Sequence, residues 1–176
     1  MFKMEILKGQ TCPVCLKKSL ELSEDEKDIP YFEKIYLFSM KCSDCDFSKS
    51  DLESEDNKGP SSYSFTVESK EDLKVRIVKS GSAKIKFPSL RTNVEPAEAS
   101  EGYVSNVEGI IKRFEDVLTI ERDNADDPSA KKTAKNLLKK LWKVKLGELT
   151  LKIVIEDPTG NSAIVSKKAE LKKIKA

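Results

Sequence analysis

The stretches Cys12-Pro13-Val14-Cys15-Leu16 and Cys42-Ser43-Asp44-Cys45-Asp46 hold every cysteine of the chain, and their reading decides what the first third of it is. Each is a Cys-x-x-Cys pair, and 26 residues separate Cys15 from Cys42. A tight turn presenting two thiolates, answered by a second such turn across a hairpin, builds a tetrahedral all-thiolate metal site. The intervening length suits two or three short strands. Four soft thiolates select zinc and leave no position open for water or substrate. The expectation is one structural Zn2+ held by Cys12, Cys15, Cys42 and Cys45, whose binding energy folds a module too small for its own core. A rubredoxin-type or four-iron centre uses the same ligands. Two disulfides would need an oxidising compartment. A redox Cys-x-x-Cys would need a strand–helix context, and none precedes Cys12.

Composition bounds the rest. The chain has 176 residues, enough for one ordinary domain or a small module with a larger one. No apolar run approaches the length of a membrane span, and the start, MFKMEILKGQ, has no signal-peptide core. A cytoplasmic protein with no membrane role is expected. There is no histidine, which removes Ser-His-Asp and Cys-His catalysis, facial-triad iron and His-based zinc proteases. The net charge of +2 conceals an asymmetry. Residues 1–55 carry 8 basic and 12 acidic side chains, residues 56–130 carry 11 and 14, and residues 131–176 carry 13 and 4. The positive end reads either as a solvated lysine face on a helix followed by a frayed tail, or as an anion-facing patch.

Hydrophobic periodicity divides the remainder. SEDEKDIP reads as a polar loop, and YFEKIYLFSMKC as a strand feeding the second cysteine pair. The acidic LESEDNKGPSS marks a connection, so a ribbon over 1–55 and a β domain over 56–176 are expected. Tyr63, Phe65 and Val67 alternate, as do Leu73, Val75 and Ile77. Ile85, Phe87, Leu90 and Val94 follow, and the set predicts three or four short strands in a sheet, sandwich or barrel. At Ser105 the period becomes helical. Ser105 with Glu108 reads as a capping box, and Val107, Ile110, Ile111, Phe114, Val117 and Leu118 form one stripe. Asp127 and Pro128 open a second helix with Ala130, Ala134, Leu137, Leu138 and Leu141 inward, and Gly147 stops it. The pair predicts a helical hairpin at about 105–146. Trp142 reads as a cover for the hairpin core or as an exposed interface anchor, the core being the reading preferred. Strand alternation returns in ELTLKIVIED, and Asp157-Pro158-Thr159-Gly160-Asn161-Ser162 reads as a turn before a last strand.

Several segments together resemble the ZPR-type zinc-finger family in its short archaeal single-module form. They are CPVC with IPYFEKIYLFSMKCSDCDF, VESKEDLKVRIVKSGSAKIKFPSL, GYVSNVEGIIKRFEDVL and LTLKIVIEDPTGNSAI, in order along nearly the whole chain. There are departures. Leu16 and Asp46 stand where the family often has glycine after each cysteine pair. Pro88-Ser89-Leu90 replaces Pro-Glu-Leu, and Pro96-Ala97 replaces Pro-Gly. The resemblance implies a mainly β fold with an α insertion: an initiation-factor-2-like four-cysteine zinc ribbon followed by a double-stranded β-helix carrying a helical hairpin. It implies binding to translation elongation factor 1-alpha and assistance in its folding, and no enzyme activity. Under that reading Asp157, Gly160, Asn161 and Ser162 become candidate partner contacts, whereas chemistry alone makes them a turn. The alternative class is a nucleic-acid-binding zinc ribbon, which would want a basic ribbon where this one is acidic.

Overall fold

A computed structural model describes residues 4–28, 34–54, 59–97 and 100–175. The first four strands, β1 (Met4–Gln10), β2 (Leu20–Asp28), β3 (Lys34–Cys42) and β4 (Ser48–Ser54), form an antiparallel meander in that order. The polar segment expected as a loop is therefore most of β2. Its register with β3 runs unbroken from Leu20 opposite Cys42 to Asp28 opposite Lys34. Alternation is the wrong signal for such a strand, because its residues 21–27 are exposed or only half-buried on both faces. Backbone pairing to β1 and β3 and cross-strand charge pairs, such as Lys34 with Glu26 at 2.8 Å, carry it instead.

Two further antiparallel sheets follow. One has the order β12-β5-β10-β7-β8 and the other β11-β6-β9. Their strands are β5 (Ser61–Val67), β6 (Arg76–Lys79), β7 (Lys84–Phe87), β8 (Thr92–Val94), β9 (Tyr103–Asn106), β10 (Leu151–Asp157), β11 (Ala163–Val165) and β12 (Glu170–Lys173). Phe65, Phe87, Ile153 and Ile155 of the larger sheet share one core with Ile77 and Ile164 of the smaller. This is the double-stranded arrangement expected. Leu73 lies in a 3₁₀ turn, Glu71–Lys74, rather than in a strand. Asp72 closes that turn, accepting from the Glu68 and Ser69 backbone N–H groups at 2.9 and 3.1 Å and from Lys168 Nζ at 3.1 Å. The lysine-rich tail is not frayed: β12 pairs with β5 as an edge strand, and its exposed lysines guard that edge against further pairing.

Helices α1 (Val107–Asn124) and α2 (Pro128–Leu146) enter between β9 and β10 as a hairpin. The first is capped by Asn106, whose side chain accepts from the Gly109 N–H at 2.8 Å. Ser105 is the last-but-one residue of β9, paired with Ile77, so the predicted capping box is one residue out of register. The strand runs through Ser105 to Asn106, and the helix turns away from that last strand residue. The second helix starts and stops as predicted. Asp127 accepts from Ser129 and Ala130 N–H at 3.1 Å each, and Gly147 ends it with φ +79°, a conformation costly for other residues. Phe114 stacks on Phe87 of β7 with ring centroids 4.7 Å apart, which fastens the hairpin to the larger sheet. Lys145 and Glu115, 2.7 Å apart and mostly buried, pin α2 to α1. Ala134, Leu141 and Val144 are buried, Leu137 and Leu138 half-buried, and Ala130 exposed. Trp142 is 59% exposed, so it stands outside the core, in the second of the two places open to it, rather than over the core as preferred. Positions 141 and 144 already supply the buried stripe, and 142 falls about 100° round the helix from 141.

The ribbon is docked onto the smaller sheet. In β6, Ile77 faces the main core while Val78, on the other side of the strand, packs with Ile35 and Leu52 of the ribbon. Polar contacts reinforce this seam. Asp51 Oδ1 accepts from the Gly81 N–H at 3.2 Å, Glu101 Oε1 from the Ser50 N–H at 3.2 Å, and Ser50 O from the Gly102 N–H at 3.2 Å. A Cβ on Gly102 would lie 2.7 Å from Asp51 Oδ1, so the seam closes only around glycine there.

Candidate metal centre

The two cysteine pairs occupy equivalent turns, one leading from β1 to β2 and one from β3 to β4. Correspondence at an offset of 30 residues extends through the backbone. Cys12 N–H donates to Lys17 O at 2.9 Å, and Cys42 N–H to Phe47 O at 2.8 Å. Val14 N–H approaches Cys12 Sγ at 3.4 Å, and Asp44 N–H approaches Cys42 Sγ at 3.4 Å. Leu16 has φ +61° and Asp46 φ +56°. These are the two positions where the chain departs from glycine, and both keep the left-handed backbone that glycine adopts at least cost.

All four Sγ atoms lie within 4.8 Å of one another. Cys12 to Cys45 and Cys15 to Cys42 are each 3.7 Å apart, well beyond a covalent bond. A tetrahedron with metal–sulfur distances of about 2.3 Å has edges of about 3.8 Å. The geometry therefore fits a single tetrahedral ion with four thiolate ligands. Cys12 and Cys42 are fully buried, and Leu20 packs beside them, so the ligands are shielded on the side of the ribbon's own small core.

Electrostatics agree. The Ser19 hydroxyl, 3.2 Å from Cys42 Sγ, together with the Asp44 backbone N–H, holds the Cys42 thiol down to about 6 against the cost of burial. At Cys45 the Phe47 N–H pulls the other way, but burial and the neighbouring sulfurs of Cys42, Cys12 and Cys15 push the thiol up to about 12. Four thiols so close cannot all ionise against each other, and a dication is the charge that permits it. Ser19 had no signal in the sequence, since serine beside a strand start is ordinary.

The 157–162 turn sits elsewhere, at the end of β10. Asp157 is wholly buried. Its carboxylate accepts from Ser162 Oγ at 2.6 Å, Thr159 Oγ1 at 2.7 Å, Thr159 N–H at 2.8 Å, Ser80 Oγ at 2.8 Å and Ser82 Oγ at 3.2 Å. Burial alone would raise its pKa, but the hydroxyls of Ser162, Thr159 and Ser80 outweigh it and hold the carboxyl below the ordinary range. Ser162 is also buried, and its hydroxyl accepts from the Ser80 N–H at 2.9 Å. Gly160 has φ +76°, and a Cβ there would lie 2.2 Å from Gly59 O. Of the four candidate contact residues, Asp157, Gly160 and Ser162 thus face inward, and Asn161 is half-buried. Pro158 and Thr159 are what the turn exposes. Ser80 and Ser82, unnoticed in the sequence, complete the knot by binding the carboxylate from the loop after β6.

Comparison with known proteins agrees with both parts. The family model of the ZPR1 zinc-finger domain matches residues 5–57, and that of the ZPR1 jelly-roll domain matches residues 71–175. A ZPR1-like protein of Methanocaldococcus jannaschii is 34% identical over 168 residues, covering 95% of this chain and 85% of that protein. One of Pyrococcus horikoshii is 34% identical over 176 residues, covering 98% of this chain and 79% of that protein. The zinc finger chaperone zpr1 of Schizosaccharomyces pombe is 29% identical over 143 residues, 79% of this chain but 30% of that longer protein.

Proposed function

Because the chain belongs to the ZPR1 family, we propose that it is a non-enzymatic protein-binding module that engages translation elongation factor 1-alpha and assists its folding. A structural zinc held by Cys12, Cys15, Cys42 and Cys45 would shape the binding ribbon. The relative from Schizosaccharomyces pombe named a chaperone supports the class of activity. The observation that carries the reading is the set of large apolar side chains left in solvent at two places, Val14 and Leu16 on the first cysteine turn and Trp142 and Leu146 at the end of α2. Solvated aromatic and aliphatic anchors of this kind are what protein interfaces bury.

Two features argue against catalysis. A four-thiolate site has no open position for a reacting oxygen. Ser162 is hydrogen-bonded to Asp157 with no histidine in the chain to act as base. The ribbon's acidic balance, 8 basic against 12 acidic residues over 1–55, disfavours a nucleic-acid ribbon.

The test mixes purified, zinc-loaded protein with purified archaeal elongation factor 1-alpha after nuclease treatment and follows both by size-exclusion chromatography. Co-elution that Trp142→Ala weakens is the expected result. Separate elution of the two proteins, with the factor either native or refolding from denaturant, overturns the reading.

A further inference from the structure

Between the larger sheet and the first half of α1 lies a cavity of about 390 Å³, lined by residues of neither the cysteine turns nor the 157–162 turn. Its size falls in the range of small-molecule sites. The walls come from two periodicities meeting. Ile85 and Phe87, alternate residues of β7, face Ile110, Phe114 and Val117, which recur at helical spacing on α1. Val117 was expected in the core; it is 44% exposed because it stands at the cavity's mouth.

At one end two cations converge on a single ring. Tyr103 is paired in register with Lys79 across β9 and β6. Arg113 Cζ lies 4.1 Å from the Tyr103 ring centroid, and Lys79 Nζ lies 5.6 Å from it. Lys79 is only 6% exposed, and its ammonium donates to one backbone acceptor, Ser80 O at 2.9 Å. Among the described residues, no carboxylate lies within ion-pair distance of Lys79 or Arg113. The two carboxylates that line the cavity rim among the described residues are already engaged, Glu95 with Lys84 and Glu101 with the Ser50 N–H. A buried ammonium with unused donors is costly unless an acceptor completes it. A guanidinium stacked on an aromatic ring is pre-organised for bidentate contact with a carboxylate.

We propose that this cavity binds a small amphipathic carboxylate, with its apolar body against Ile85, Phe87, Ile110 and Phe114 and its head group between Lys79 and Arg113. A monoanion suits the site better than a phosphate dianion, because Asp157 and Asp51 already act on Lys79 from beyond contact distance. Burial lowers the pKa of Lys79 while Asp157 and Asp51, beyond contact distance, raise it, so an arriving anion supplies a closer counter-charge than any of the described residues does.

The experiment uses the full, zinc-loaded chain and isothermal titration with decanoate, and with decan-1-ol as the uncharged isostere. One decanoate per chain, bound at least tenfold tighter than decanol, is expected. Arg113→Gln, at the solvent side, should lower decanoate affinity at least tenfold and leave decanol unchanged. Lys112→Gln, which removes an exposed lysine paired with Asp116, should leave both unchanged. Lys79→Met should act as Arg113→Gln does if it folds by circular dichroism; if it does not fold, Arg113→Gln decides alone. The proposal is overturned by absence of saturable binding up to millimolar decanoate, by equal affinity for decanol, or by Arg113→Gln binding decanoate as the parent does.

Discussion

Replacing Leu16 with glycine should strengthen the metal centre. Leu16 has φ +61° and its side chain is 75% exposed. A left-handed backbone costs a non-glycine residue about 1–2 kcal/mol, and the strain disappears in the variant. Glycine's extra freedom in the unfolded chain returns about 0.5–1 kcal/mol of that gain, and so exposed a side chain forfeits little burial. The net is a stabilisation of about 0.5–1 kcal/mol. Folding of the turn is linked to metal binding, so this becomes about a two- to fivefold increase in zinc affinity. Competition against a chromophoric chelator at fixed pH measures it directly. Asp46→Gly should give a smaller gain, because aspartate tolerates the left-handed region better than leucine. Val14→Gly, two residues earlier in the same turn and without positive φ, should lose affinity. Weaker zinc binding in Leu16→Gly, or a larger gain at Asp46 than at Leu16, would refute the reasoning that backbone strain is what distinguishes these positions.

Other expected outcomes follow from the same geometry. Removing zinc with a chelator should release the amides of Cys12 and Cys42 to hydrogen exchange, since their bonds to Lys17 O and Phe47 O depend on the closed turns; retained protection would mean the ribbon folds without metal. Asp157→Asn should cost about 2–4 kcal/mol in urea unfolding, because the buried network loses its charge and one of its two acceptor oxygens. With the folded-state pKa of Asp157 depressed, its contribution is fully present above the unfolded value near 4 and fades as pH falls through the folded one, so the variant should show a flatter acid limb. Gly160→Ala should destabilise by at least about 2 kcal/mol, since its Cβ would meet Gly59 O at 2.2 Å and its φ would be strained; a neutral effect would mean the linker yields. Trp142→Ala should cost less than about 1 kcal/mol in thermal melts, given its exposure.

What the sequence revealed, and what it hid, has a physical pattern. The cysteine spacing was legible because four ligands at fixed separations leave few geometries. The helices were legible because a buried stripe repeats every turn and because Asp127, Pro128 and Gly147 punctuate it. Strand β2 was not, because it is held by its neighbours' backbones and carries charge on both faces. The N-cap slipped by one residue because Ser105 is claimed by a strand, which only tertiary pairing decides. The inward turn of Asp157 was hidden for a related reason: its partners Ser80 and Ser82 are brought to it by the sandwich from far along the chain. The sequence left Trp142 between two places, and the preferred one was not taken, because an aromatic residue among lysines reads the same whether it covers a core or faces water.

The seam between ribbon and jelly roll has a further consequence. With Asp51 bonded to Gly81, Ser50 to Glu101 and Gly102, and Leu52 set against Val78, the cysteine turns stand at a fixed bearing to the helical hairpin, like the two jaws of a caliper rather than beads on a string. A partner gripped by both jaws does not have to freeze a swinging tether.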